Sequence, residues 1–190
     1  MIKDLLTKAR SCRRYDATHA LDESVLREMV DNTRFASSGA NLQPLKYKLV
    51  CTQPMLDQIF AILKWGAALK DYSGPEPQER PTGYIIITAD KSLAPNTAAA
   101  EKDVGIAACV LALSAAERGL GTCMIAIFSH PKCKELLELG DGCEPMLVVA
   151  VGNPVEQIVL EDAQPGQPTT YYREGLVHHV PKRRLEDILL

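Results

Sequence analysis

Arg10-Ser11-Cys12-Arg13-Arg14-Tyr15 and Ser37-Ser38-Gly39-Ala40-Asn41-Leu42-Gln43-Pro44 are the two stretches on which the reading of this chain turns. The first gathers guanidinium groups and a hydroxyl, which suit an anion. The second is a turn of small side chains followed by two carboxamides, which suit the polar edge of a flat heteroaromatic ring. Together they describe a site for a phosphorylated, planar cofactor.

Around these stretches the apolar spacing predicts a mixed fold. Ile2, Leu5, Leu6 and Ala9 share one face of a short helix, and Leu21, Val25, Leu26, Met29 and Val30 mark a second helix with Asp22 as its cap. That helix should fade near Phe35, before the Ser37 turn. Tyr47, Leu49 and Cys51 alternate with Lys46, Lys48 and Val50 as a half-buried strand. A helix follows from about Pro54, with Thr52 as its expected cap. Tyr72 to Gly83, rich in proline, glycine and charge, reads as a surface loop of functional length. Tyr84 to Thr88 and Met146 to Val151 are buried strands, and Cys123 to Phe128 is extended. Between them, Ala98 to Arg118 is a long helix with small residues all round, which belongs in a core or a subunit interface. Gly119 ends it in a left-handed cap. Pro131 to Leu139 is a short helix with Ser129 as cap. Beyond Glu156 the signal weakens to a short strand at Ile158 to Leu160 and the Gln164 to Pro168 loop. Helices and strands mix without strict alternation, so the fold class is α+β, and 190 residues fit one domain, 1–190.

Net charge is −3, so nucleic acid is a poor partner. The basic residues are nonetheless clustered, with Lys3, Lys8, Arg10, Arg13 and Arg14 at one end and Lys182-Arg183-Arg184 at the other. They form a positive site if the two ends meet, and two solvated clusters if they do not. The longest apolar run, Val104 to Ala116, is too short to span a bilayer, so no membrane partner is expected. The six cysteines form no C-x-x-C pair, and with no signal peptide the expected location is a reducing cytoplasm. Several signals resolve to structure. Gly119-Leu120-Gly121 follows a helix and lacks the third glycine of a dinucleotide fingerprint. His178 and His179 are adjacent, so in a strand they point to opposite faces, and no metal set accompanies them. Cys123, in an apolar flank without a base, reads as a structural thiol. Trp65 reads as packing or as part of a pocket wall.

The landmarks resemble one family. Arg10 to Tyr15 is similar to the R-S-x-R-x-F/Y start of the nitroreductase family of FMN-dependent oxidoreductases. Ser38-Gly39-Ala40-Asn41-Leu42-Gln43-Pro44 resembles its P-S-G/S-x-N-x-Q-P-W signature. Gly119 to Phe128 resembles its G-L-G-T-x-W-I-x-x-F segment, Met146 to Pro154 its strand ending in G-x-P, and Pro181 to Leu185 its basic ending. There are departures: Ala9 replaces a frequent arginine, Ser37 a proline, and Leu45 and Met124 two tryptophans.

The resemblance implies a central mixed or antiparallel sheet flanked by helices in an intertwined homodimer, with FMN tightly bound at the subunit interface. Arg10, Ser11, Cys12 and Arg13, with Lys182 or Arg184, would hold the phosphate and the pyrimidine edge. Ser37, Ser38, Asn41 and Gln43 would reach the flavin from the partner subunit. Ile125, Ala126 and Ile127 would pass their backbone near N5, and Ile127 is bulkier than the glycine of some members. The implied activity is a ping-pong transfer of hydride from NADH or NADPH to a small electron-poor acceptor such as a nitroaromatic or quinone. Trp65 to Gly83 would rim the acceptor pocket, and no side chain is required as a catalytic residue. A related enzyme with different flavin chemistry, a flavin store or sensor without a dedicated substrate, and a structural dimer that has lost flavin are the alternatives. The retained arginines and amides speak against the last.

Overall fold

The computed structural model describes residues 1–66, 69, 72–164 and 166–190. The expected pocket rim and the Gln164 to Pro168 loop therefore fall partly outside the described residues. The helices are α1 (Ile2–Lys8), α2 (Glu23–Thr33), α3 (Met55–Ile62), α4 (Glu101–Glu117) and α5 (His130–Leu136). The strands are β1 (Leu45–Val50), β2 (Gly83–Asp90), β3 (Gly121–Ile125), β4 (Cys143–Gly152), β5 (Gln157–Asp162), β6 (Tyr172–Glu174) and β7 (Val177–Lys182).

The main sheet is antiparallel, in the order β1-β2-β4-β3. Its central strands are buried on both faces, which explains their unbroken apolar runs. On one face Tyr84, Ile86, Val148 and Ala150 pack with Val50, Cys123 and Ile125 beneath α3 and α5. On the other, Ile85, Ile87, Val149 and Val151 meet Leu26 and Met29 of α2 and Val104, Ala108, Leu111 and Ala115 of α4. The alanines of α4 let it lie close to the sheet. Asp22 caps α2 by accepting the Ser24 N–H at 2.8 Å, as expected.

Four local readings change. Thr52 does not cap α3, whose first turn starts from Pro54 instead. Val50 is buried, because it faces the second layer of helices that alternation alone does not reveal. The Tyr72–Gly83 stretch is not wholly surface, since Pro75, Thr82 and Gly83 are buried where it passes under the N-terminal segment. The weak C-terminal region forms a second sheet, β5-β7-β6, in which β5 and β7 run parallel.

The Arg10 to Tyr15 segment lies along the outer edge of β3. Ser11 bridges Thr122 in parallel fashion, the Cys12 N–H donates to the Thr122 carbonyl at 2.7 Å, and Tyr15 bridges Pro154. Two glycines make room for it. A Cβ at Gly121 would stand 2.9 Å from the Cys12 Cβ, and one at Gly152 would stand 2.8 Å from the Tyr15 ring. Three separate landmarks of the sequence are thus one packing unit, closed by the Tyr15 hydroxyl donating to the Cys12 carbonyl at 2.6 Å.

Candidate functional site

Arg13 is the centre of the arginine segment and is only 7% exposed. Its backbone N–H donates to Glu156 Oε2 at 2.7 Å, and its Nη1 donates to the Ser11 carbonyl at 3.3 Å. The same Nη1 lies 3.2 Å from His178 Nε2, and the guanidinium sits 4.6 Å from the centre of the Tyr171 ring. The Glu156 carboxylate is wholly buried and takes Arg173 Nη2 at 2.5 Å. Tyr72 donates to the Arg13 carbonyl at 3.0 Å, and burial pushes its hydroxyl up to about 12. The two chain ends therefore do meet, through His178 of β7 rather than through the basic residues at its end.

Arg10 lines a cavity of about 330 Å³ with Cys12, Gly121, Pro154 and Glu156, at the C-terminal end of α4. Among the described residues, three buried side-chain nitrogens of the arginine segment and of β7 lack a partner: Arg10 Nε, Arg13 Nε and His178 Nδ1. Buried donors are normally paired, so this set suits an anionic or carbonyl-bearing group, and FMN offers both. Arg14 turns away to ion-pair with Glu79, and Ser11 is exposed. Burial pushes the Cys12 thiol up to about 12 and Cys123 to about 11, so neither is a thiolate nucleophile near neutral pH. Ile125 closes β3 as a buried residue, and Ala126 and Ile127 continue exposed along the same edge.

The amide turn is built differently. Ala40, Asn41 and Gln43 all take left-handed backbone angles, which side chains other than glycine disfavour. One carboxylate offsets that cost. Asp103, in the first turn of α4 and buried, accepts the Ser38 hydroxyl at 2.6 Å and the Gly39 N–H at 3.0 Å. Ser38 Oγ in turn accepts the Gln43 N–H at 2.9 Å. Asn41 and Gln43 are exposed, with Gln43 Nε2 donating to Asn41 Oδ1 at 3.2 Å. Ser37, Ser38 and Gln43 also line a cavity with Thr33, Tyr47 and Ile106.

The structure does not bring all the expected residues together in one chain. The amide turn sits at Asp103 and the Arg10 cavity at Ala116, thirteen residues apart on α4, which is about 20 Å. Lys182 and Arg184 are exposed; among the described residues neither ion-pairs with Arg10 or Arg13, and Arg184 holds Asp187 at 3.3 Å. Sequence reading missed Asp103, Glu156, Tyr171 and Arg173, and it set His178 aside as half of an adjacent pair pointing to opposite faces. Asp103 left one faint signal, an acid inside a run that becomes a small-residue helix; Glu156, Tyr171 and Arg173 left none.

The fold and site define an α+β protein with an arginine cradle at one end of its central helix and an amide-bearing turn at the other. Residues 6–153 match the family model described as Nitroreductase family, and the chain belongs to that family of oxidoreductases. The fold is similar to that of a nitroreductase family protein from Clostridium novyi NT (TM-score 0.67, 21% identity, covering 81% of this chain and 85% of the other). It is also similar to an FMN-dependent nitroreductase from Clostridium difficile R20291 (TM-score 0.65, 23% identity, 83% and 89%). A third likeness is to a proposed NADH dehydrogenase/NAD(P)H nitroreductase from Parabacteroides distasonis (TM-score 0.66, 19% identity, 90% and 96%). No curated protein matches the sequence. Among the described residues no helix is long and apolar enough to cross a membrane.

Proposed function

We propose that this chain is an FMN-dependent reductase that takes hydride from NADH or NADPH and passes it to a small electron-poor acceptor, working as a homodimer in the cytoplasm. The observation that carries the reading is the buried Arg13 guanidinium, its Nε–H without a partner among the described residues, in a chain of this family. FMN, when bound, supplies the ring that accepts two electrons and releases them to the acceptor. The residues that would hold it are Arg10, Ser11, Cys12 and Arg13 of one subunit with Ser37, Ser38, Asn41 and Gln43 of its twin. Ile125 to Ile127 offer backbone along the same edge, and Lys182 and Arg184 add exposed positive charge. Arg13, held in a low-dielectric setting, offsets the negative charge that a two-electron acceptor gains. The rim of the acceptor pocket expected from Trp65 to Gly83 lies partly outside the described residues; of those described, Trp65 is buried against Phe60.

The outer face of α4 supports the homodimer. Gly105, Ile106, Cys109, Val110 and Leu113, each exposed or half-buried, fall on one stripe that the chain's own sheet does not cover. Among the described residues, a Cβ at Gly105 would meet nothing within 4 Å. Two such helices packed antiparallel would set the amide turn of one subunit beside the Arg10 cavity of the other. That arrangement resolves the separation of about 20 Å along α4.

Purified protein should carry a flavin absorbance that bleaches within seconds when NADH or NADPH is added without oxygen. A colourless preparation that takes up no FMN overturns the reading, and slow bleaching without turnover favours a flavin store. Arg13→Glu should weaken FMN binding by about a hundredfold or more, by setting a carboxylate against the cofactor's own negative charge. Sedimentation should show a dimer; a monomer that keeps its flavin contradicts the shared site.

A further inference from the structure

We propose that two copies of this chain pack α4 against α4, antiparallel, about an axis that passes between Cys109 and Val110, in a register set by Lys102 of each subunit meeting Glu117 of the other. The inference rests on the shared-site homodimer proposed above and adds to it the register and the residues that choose it.

The two half-sites give the register first. The amide turn is tied to α4 at Asp103, and the Arg10 cavity opens at Ala116. In an antiparallel pair each residue faces one equally far from the axis on the other helix. Asp103 of one subunit therefore stands beside Ala116 of the other when the axis crosses α4 midway between them, at Cys109 and Val110. The face at that point is open. Lys102, Ile106 and Cys109 are exposed and Leu113 is half-buried. They are spaced four, three and four residues apart, which puts them in one stripe along the helix. The register sets Ile106 against Leu113 and Cys109 against Val110, apolar against apolar. Gly105 beside them has no side chain to hold the second helix off.

Charge selects the same register by a separate route. A helix favours acids in its first turn and bases in its last. In α4, Lys102 stands in the first turn and Glu117 is the last residue, so both oppose the helix dipole. Glu117 has Arg118 Nη1 at 3.7 Å, but that guanidinium is committed to Glu28 through Nη2 at 2.8 Å. Lys102 is flanked by Glu101 and by Asp103, whose carboxylate is already held by Ser38 and Gly39. The axis between Cys109 and Val110 brings each Lys102 opposite a Glu117, twice in every dimer. The two residues whose signs are wrong for their own helix are thus right for an antiparallel second one. A slip of one helical turn, about 5.4 Å, parts both ion pairs and both half-sites.

The test is a charge-swap cycle on the full chain, with the dimer dissociation constant measured by sedimentation equilibrium for the natural chain, Lys102→Glu, Glu117→Lys and the double variant. Each single change opposes like charges twice and should raise the dissociation constant about five- to thirtyfold, and the double variant should return to within about threefold of the natural chain. Each single change also improves the match to the helix dipole, so a weakened dimer is not a weakened helix. A second measurement uses the natural chain. Cys109 is the exposed cysteine among the described residues. Its alkylation by N-ethylmaleimide, followed by peptide mass spectrometry, should run at about a tenth of the monomer rate or slower in the dimer. A dimer whose affinity ignores the single changes, or that the double variant does not restore, overturns the register. A dimer in which Cys109 reacts as fast as in the monomer overturns the face. Both results leave the FMN reading standing, whereas a natural chain that sediments only as a monomer removes the shared site and this inference with it.

Discussion

The arginine segment and the amide turn are both needed by the proposed site, yet the protein secures them in opposite ways. Arg10 to Tyr15 is sunk into the molecule, with Tyr15 and Cys12 almost wholly buried and partners drawn from residues 72, 122, 154, 156 and 178. Ser37 to Gln43 is exposed apart from the half-buried Ser38, conformationally strained, and tied down chiefly by Asp103. The first is positioned by packing and the second by hydrogen bonds. A charged anchor gains strength in a low-dielectric wall, whereas a turn that must meet a second subunit has to stay at the surface.

If packing holds the first region, the largest effect falls there. Tyr15→Ala should cost about 3–5 kcal/mol of unfolding free energy in urea titrations, whereas Gln43→Ala should change it by about 0.5 kcal/mol or less. A Gln43 effect as large as the Tyr15 one would break the contrast. Next comes Asp103→Ala, which strips the Ser38 hydroxyl and the Gly39 N–H of their acceptor and should cost about 1–3 kcal/mol. It should also speed amide exchange across residues 38–43 without altering exchange at Cys12 or Tyr15. Unaltered exchange at residues 38–43 would show that the turn holds itself.

The pH response sharpens the same contrast, because a titrating ring sits only in the buried region. His178 has its folded pKa below the unfolded value of about 6.5, so below that pH the unfolded chain binds more protons. Its contribution is present at neutral pH and is lost as pH falls from about 6.5 through the folded value. Stability measured across that window should decline with acid and flatten in His178→Gln; equal slopes would remove the ring from the balance. A small effect belongs to Arg14, whose pair with Glu79 is about one-fifth exposed on each side. Arg14→Ala should cost about 1 kcal/mol or less.

Local chemistry was legible in the chain where one residue type decides a backbone choice. Asp22 as a cap, Gly119 at a left-handed helix end, and the unbroken apolar runs of β2 and β4 all followed from rules that act over a few residues. The C-terminal sheet was not legible, because β6 and β7 lack apolar alternation and are held by pairing with β5 and with each other. Thr52 misled because a plausible cap two residues early is indistinguishable in sequence from the true first turn at Pro54.

By itself, then, the sequence determined the α+β class, the helices and strands of the main sheet, and the two motifs that carry the family resemblance, since each rests on short-range periodicity or on a contiguous stretch. Only the tertiary structure decided that Gly121 and Gly152 admit the arginine segment, that Asp103 underwrites the amide turn, and that His178 meets Arg13. Those contacts join residues tens to well over a hundred positions apart, and no local preference encodes which distant side chain will arrive.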